Sequence, residues 1–532
     1  MPADDGTHTA TTESAYVVRG DVSPEAITKS LQALLTMRHH PIARYRFTVL
    51  DTFDGRVRRA GGRLTRAGIN GSATVEWQPR GGGSPLAIRL SQPVGFAWDL
   101  PEGPLQRALA PVIGVRRLLP LADAEAHGSL LEILDDRGKI VARLRVESGR
   151  ARLPAARNGW KPLPTVITLT GLRGYADIYE QLIPVIQSRP GIEACVGGLN
   201  DVTLRQVGAL QGEDSSSLRV ELVPGVLAGV GARQIHLALL DILAVNEPGL
   251  RADLDTEFLH DFRVTVRRTR SLLGQIRHVF PPDVVANFAA EFSWLGGLTG
   301  PPRDLDVLCL ELRAHPLEDI PASDMEGLTA FLGQAQQQHH HAIVDALDSE
   351  RYRRLLSQWR GFLEQPVSSG TQARNAERLL VDVVSKRAWR LSRRIGGSAE
   401  SVDERTAAAR LHQVRIDAKK LRYLVDVTPG FYDAPAMAIV LSALKRLQRA
   451  LGDFNDAHVQ DLRLAEFGQA LHAAGGPPGV LFALGRLAEQ SRQRRVALRG
   501  PVIEALARFH SDDTRAACRR AFKGMVPAEG TR

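Results

Sequence analysis

The spacing of apolar residues along this chain changes once. Over residues 16–210 apolar and polar positions alternate: Tyr45, Phe47 and Val49 interleave with Arg44, Arg46 and Thr48, and Ala142, Leu144 and Val146 with Arg143, Arg145 and Glu147. A period of two predicts antiparallel strands with one face buried. Asp135-Asp136-Arg137-Gly138 between two such runs predicts a hairpin turn, and the pattern predicts helices over 24–37 and 175–187. This portion therefore reads as α+β.

After the short Ser-rich stretch 211–217, the period becomes 3.6. Amphipathic helices are predicted over about 233–245, 257–278, 284–295, 328–347, 353–363, 376–395, 405–427 and 436–450, with more to the end. Proline and glycine clusters such as Pro281-Pro282, Pro301-Pro302 and Pro429-Gly430 separate them. The chain is thus expected to be multi-domain, with a disordered terminus (1–14), an α+β domain (15–216) and an all-α domain (217–532).

Within the helical part, His260, Arg263, Arg267 and Arg270 fall on one stripe, with Phe258, Phe262, Val266 and Leu273 opposite. A shift of 152 positions carries His260, Arg263, Arg267, Arg268 and Arg270 onto His412, Arg415, Lys419, Lys420 and Arg422, and Leu295, Gly300, Asp304 and Val307 onto Leu447, Gly452, Asp456 and Val459. No gap is needed, so the chain holds an internal duplication, with repeats at about 225–365 and 376–523.

Like charges three and four residues apart destabilise a helix. Asp261 and Asp417 are rotated about 100° from their stripes, so each stripe lacks its own compensating acid. His260 to Arg270 covers about 15 Å of helix, a spacing suited to a linear, closely charged polyanion. Arginine offers planar forks to phosphate oxygens and lysine a mobile point charge.

A net charge of +9 over 532 residues agrees with an anionic partner. Cys195, Cys309 and Cys518 are too dispersed for a metal site or a disulfide framework. No secretion signal is read at the N-terminus, and no apolar run approaches the roughly 20 residues that span a bilayer. A cytoplasmic protein with neither membrane partner nor cofactor is expected.

The pattern His-x-x-Arg-x-x-x-Arg-Arg-x-Arg at His260, its counterpart HQVRIDAKKLRY at His412, GPPRDLDVL from Gly300 and LKRLQRALGDFNDAHV from Leu444 resemble the CHAD domain, the conserved histidine α-helical domain. That resemblance implies a duplicated helical bundle with pseudo-twofold symmetry, whose basic channel binds inorganic polyphosphate and which can associate with polyphosphate granules. Carried over by position, the channel residues are His260, Arg263, Arg267, Arg268 and Arg270 from one repeat and His412, Arg415, Lys419, Lys420, Arg422 and Tyr423 from the other, with Arg303 and Lys445 as further candidates. Asp304, Asp306, Asn455 and Asp456 are expected to cap helices or pair with arginines.

In the first part, VLDTFDGRVRRAGGRLTR from Val49 and EILDDRGKIVARLRVE from Glu132 resemble the CYTH domain of the triphosphate tunnel metalloenzymes, an antiparallel β-tunnel that often precedes a CHAD domain. The Glu-x-Glu-x-Lys strand that supplies that family's metal-binding acids is replaced by ESAYVVRG, in which Glu13 and Arg19 are the only charges. A degenerate, non-catalytic tunnel is expected, because two-metal phosphoryl chemistry needs converging carboxylates. Arg56, Arg58, Arg59, Arg63 and Arg66 read as a solvated strand face.

Two competing functions stand beside polyphosphate binding. One is hydrolysis of triphosphate or polyphosphate by the first domain, against which the missing acidic strand argues. The other is non-specific nucleic-acid binding, whose grooves usually add stacking aromatics, whereas the ladders carry only Tyr423. His339, His340 and His341 lack metal-ligand companions and are expected on an exposed helix face.

Overall fold

A computed structural model describes residues 13–523, apart from 21, 70–71, 80–83, 157, 211–217, 316, 318–319, 367–372, 400–401 and 404–405. The predicted boundary stretch 211–217 and most of the predicted disordered terminus lie outside these described residues. The chain forms two compact units, Met1–Ser215 and Ser216–Arg532.

The first unit is a nine-stranded antiparallel sheet: β1 (Glu13–Val18), β2 (Met37–Thr52), β3 (Arg63–Ile69), β4 (Ser72–Gln78), β5 (Leu86–Leu90), β6 (Leu118–Leu134), β7 (Ile140–Arg152), β8 (Lys161–Gly171) and β9 (Ile192–Cys195). Their order is β5-β4-β3-β2-β6-β7-β8-β1-β9. Helices α1 (Pro24–Gln32), α2 (Arg56–Arg59), α3 (Pro104–Ile113), α4 (Ala176–Gln187) and α5 (Gly198–Val207) pack on it. The predicted hairpin joins β6 to β7, and Asp135 accepts from the backbone amides of Arg137 and Lys139.

Four strands separate β3 from β1 in that order, which in a flat sheet would put them roughly 24 Å apart at about 4.8 Å per strand. Yet Arg63 on β3 forms a bidentate ion pair with Glu13 on β1, one arm at 3.0 Å. The sheet is therefore curled until its third and eighth strands meet, which is consistent with a CYTH-like tunnel.

Two local expectations need correction. The predicted helix over 24–37 ends at Gln32, and Met37 already belongs to β2. Arg56, Arg58 and Arg59 lie on a helical turn, α2, rather than on a strand. The buried Asp51 carboxylate organises this turn by accepting from the amides of Thr52, Val57 and Arg58, and Gly55 supplies the left-handed residue before it at φ 70°.

The second unit is helical among its described residues. Its first repeat comprises α6 (Ala228–Arg251), α7 (Thr256–Gln275), α8 (Pro282–Leu298), α9 (Gly300–Ala314), α10 (Ala322–Asp348) and α11 (Glu350–Glu364). The second comprises α12 (Leu380–Ala399), α13 (Ala408–Asp426), α14 (Ala434–Ala473), α15 (Pro478–Ala497), α16 (Arg499–Phe509) and α17 (Asp512–Lys523). The first residues of α6, α7 and α8 stand 152 positions before those of α12, α13 and α14.

The twofold relation is visible in the backbone. Leu227 bridges Leu379 in antiparallel fashion, the Ala228 amide donates to the Arg378 carbonyl at 2.8 Å, and the Leu380 amide donates to the Val226 carbonyl at 2.9 Å. Residues 152 apart thus exchange equivalent hydrogen bonds, as residues on a dyad must. The repeats differ at Pro301-Pro302: Thr299 separates α8 from α9, whereas the matching stretch is one uninterrupted 40-residue helix, α14.

Helix α6 is long and apolar enough to cross a membrane by length and composition, a run that the sequence reading did not anticipate. Most of its apolar window is buried within the unit, where Ile235, Leu239 and Leu243 are almost wholly covered. Trp359, fully buried, gathers Phe280, Phe288, Phe292, Phe362 and His236 around it.

Candidate functional site

The ladder helices α7 and α13 each turn an apolar face inward. Phe258, Phe262 and Val266 are buried on α7, and Leu411, Val414, Ala418 and Leu421 on α13. Asp255 starts α7 by accepting from the Glu257 amide. These faces set the rotation of both helices and therefore the direction of their charged stripes.

Between them lies a cavity of about 250 Å³ lined by His260, Arg263, Arg267 and Arg303 from the first repeat and by Arg415 and Lys419 from the second. Arg463 and His339 join the basic side, while Asp304, Glu311 and Asp456 bring carboxylates. Several lining residues are twofold equivalents, namely Arg263 with Arg415, Arg267 with Lys419, Asp304 with Asp456 and Val307 with Val459. The cavity thus sits on the pseudo-dyad, and the two stripes face one space.

The acids missing from each stripe come from α9 and α14. Asp456 lies 3.7 Å from an Arg415 guanidinium nitrogen, and Asp304 acts electrostatically on Arg263 and Arg415. Both are interior helical residues, so the capping expectation is wrong for them while arginine pairing is observed. Asp306 is buried and bonded to Gln336 at 2.9 Å, burial pushing its carboxyl up to about 6.

Positive charge is held here at a cost. Burial, with Arg267 and Arg415 adding repulsion, pushes the Lys419 ammonium down to about 6. Burial likewise lowers the Arg263 and Arg415 pKa values below the ordinary arginine range. Arg263 donates to the Gly296 carbonyl at 3.2 Å, and Arg303 donates to the Thr256 carbonyl at 3.0 Å. The guanidiniums are thereby aimed before any ligand arrives.

The other sequence-derived candidates lie outside the cavity lining. Tyr423, 7% exposed, stands behind it, its hydroxyl accepting from Arg267 Nε at 2.7 Å and its ring under Arg267 and Arg268. Arg270 is exposed, Arg422 is paired with Asp426 at 2.7 Å, and Lys445 lies exposed on α14. Lys420 faces Asp417, Arg394 and Arg387 instead. His412 is exposed and hydrogen-bonded to Asn455 at 2.8 Å, whereas its equivalent His260 lines the cavity. The difference follows from sequence, since Asn455 occupies the position matching Arg303.

Glu311, His339 and Arg463 were not anticipated. Arg463 lies seven residues beyond Asp456, and Glu311 seven beyond Asp304, so a helical stripe on α9 and α14 carried the signal. His339, expected on an exposed face, is half-buried, and burial with Arg463 nearby lowers its pKa.

The first unit has its own cavity, about 750 Å³, lined by Glu13, Arg58, Arg59, Arg63 and Asp201 among others. Three of the sheet carboxylates are already engaged by side chains: Glu125 by Arg46 and Arg150, Glu132 by His40, and Glu147 by Arg145 and Tyr45. Among the described residues no three His, Cys, Asp or Glu side chains gather as a metal-binding group.

Comparison with known proteins adds the following. Two uncharacterized proteins, from two strains of Mycobacterium tuberculosis, are each 27% identical over 254 residues, 46% of this chain and 47% of theirs. The chain thus spans about half the length of the curated relatives it matches. The crystal structure of the CHAD domain from the plant Ricinus communis is similar at 28% identity and a TM-score of 0.47, covering 55% of this chain and 96% of that one. PptA from Streptomyces chartreusis is similar at 17% identity and a TM-score of 0.40, covering 53% and 99%. Residues 234–465, which contain both ladders and most of the cavity lining, match the CHAD domain family.

Proposed function

We propose that the helical unit binds inorganic polyphosphate in the cavity on the pseudo-dyad, with the exposed ladder cations extending the basic track, and that this binding carries the protein to polyphosphate granules. The observation that supports the reading most is the convergence of Arg263, Arg267, Arg415 and Lys419, from two helices 152 positions apart in sequence, on one space. Six basic side chains excluding histidine face three carboxylates there, an excess that a polyanion would neutralise. A nucleic-acid groove would be expected to present stacking rings, and the aromatic side chain in this lining is Phe467.

The test is titration of the full chain with polyphosphates of graded length, orthophosphate and single-stranded RNA at several salt concentrations. Long polyphosphate should bind most tightly, with affinity falling steeply as salt rises through counterion release. Arg267→Glu and Lys419→Glu should each weaken binding by more than about tenfold. Equal affinity for orthophosphate and polymer, or preference for RNA, would overturn the reading.

A further inference from the structure

Lys419 and Lys420 are neighbours on α13, about 100° apart around the helix, and they serve different surroundings. Lys419 lines the cavity, whereas Lys420 faces α12 and the chain after α7, where Arg277, Arg387 and Arg394 act on its charge. Asp417 stands among them, accepting from Arg394 at 2.5 Å. Arg387 is braced by Gln275, whose side-chain oxygen accepts from Arg387 Nε at 2.8 Å. Arg390 also acts on Arg387 and is exposed.

Such crowding is unfavourable in itself. Burial and the neighbouring guanidiniums lower the Lys420 and Arg387 pKa values, with Asp417 opposing them. The α12 arginines are also peculiar to the second repeat: the positions matching Arg387, Arg390 and Arg394 are Ile235, Ala238 and Ile242, so twofold symmetry does not account for them. Arg387, Arg390 and Arg394 recur at helical spacing and form a ridge on α12.

We propose that Arg277, Arg387, Arg390, Arg394 and Lys420 form a second phosphate-polymer subsite, separate from the cavity, which a long chain engages while another stretch of it occupies the cavity. This rests on the polyphosphate reading. A cavity of about 250 Å³ encloses only a short stretch of polymer, leaving the remainder to reach other cations. Linking two sites through one ligand makes the second contact intramolecular and strengthens binding of long chains without altering that of short ones.

The experiment compares short oligophosphate and long-chain polyphosphate on the full chain, as wild type, Arg387→Gln/Arg394→Gln, Arg390→Glu and the cavity variant Arg267→Glu, with folding checked by circular dichroism. Both α12 variants should lose about tenfold in long-chain affinity, part of the roughly hundredfold or more that a linked second site adds, and keep short-chain affinity. Arg267→Glu should lose both. Unchanged long-chain binding in both α12 variants, or equal loss for both lengths, would overturn the second subsite while leaving the cavity reading intact. Failure of wild type to bind either polymer would instead overturn the underlying reading, and this proposal with it. Arg390→Glu, an exposed position, guards against a folding defect in the double variant.

Discussion

Arg267 on α7 donates to the Tyr423 hydroxyl on α13 at 2.7 Å, so the two ladders are joined by a direct hydrogen bond across the pseudo-dyad. Tyr423 also lies beneath the guanidiniums of Arg267 and Arg268 at 5.9 Å. The tyrosine thus anchors the cationic side of the cavity from behind.

Tyr423→Phe keeps the ring but deletes the acceptor. Leaving a charged donor without its partner should cost about 1–3 kcal/mol of stability. Polyphosphate affinity should fall less than with Arg267→Glu, because the charge remains. Denaturant melts and a binding titration on the same protein measure both.

Lys419 should make binding pH-dependent. In the empty protein its ammonium is held down to about 6 by burial and by Arg267 and Arg415, with Asp456 opposing. A bound polyanion reverses that field and raises the pKa, so protons are taken up on binding and affinity rises as pH falls from about 9 toward 6. Lys419→Arg keeps its charge over that range and should flatten the profile. Calorimetry in buffers of different ionisation heat reads the proton uptake.

The same residue weakens the fold. Its unfolded-state pKa near 10.5 exceeds the folded value of about 6, so between these pH values the unfolded chain holds the additional proton and stability falls as pH drops through the window. Lys419→Met should therefore raise the melting temperature at pH 7, by on the order of 1 kcal/mol in stability, while weakening polyphosphate binding.

His236 is wholly buried beside Phe280 and Trp359, and neither ring nitrogen has a hydrogen-bond partner among the described residues. Burial pushes its pKa down to about 3. Its contribution is fully present above the unfolded value near 6.5 and is lost as pH falls from there toward 3, since the unfolded chain then binds the proton. His236→Leu should remove part of the acid-side loss, on the order of 4 kcal/mol at most, as read by thermal melts between pH 3.5 and 7.

The first unit should show no metal-dependent triphosphate hydrolysis, because Glu125, Glu132 and Glu147 on its sheet are occupied by arginine, histidine and tyrosine partners. Phosphate release with magnesium or manganese that disappears on changing Glu76, Glu132 or Glu147 would contradict this.

The duplication and the helical periods were legible because they are local or strictly repetitive. The 152-residue interval in the ladders reappears in the starts of α6, α7 and α8 against α12, α13 and α14. What sequence could not show was which ladder residues share a space. His260 and His412 are identical in motif, yet His412 is exposed and bonded to Asn455 while His260 lines the cavity. Asp304 and Asp456 resembled caps because the Gly-Pro-Pro stretch suggested a loop, whereas Gly300 opens α9 and Gly452 lies within α14. Their opposition to Arg263 and Arg415 arises from packing between helices, which no single-helix pattern encodes.

The position of the cavity on the dyad has a consequence for its chemistry. A homodimer of two identical half-length chains would have to place the same side chain on both sides of the axis, so that any acid at one end would be matched by an acid at the other. Here both halves share one polypeptide, and Glu311 corresponds to Arg463, Arg303 to Asn455 and Arg267 to Lys419. Covalent fusion has released the lining from enforced equality. One half can supply a titrating ammonium while the other keeps a permanent guanidinium, an arrangement that strict self-association could not maintain.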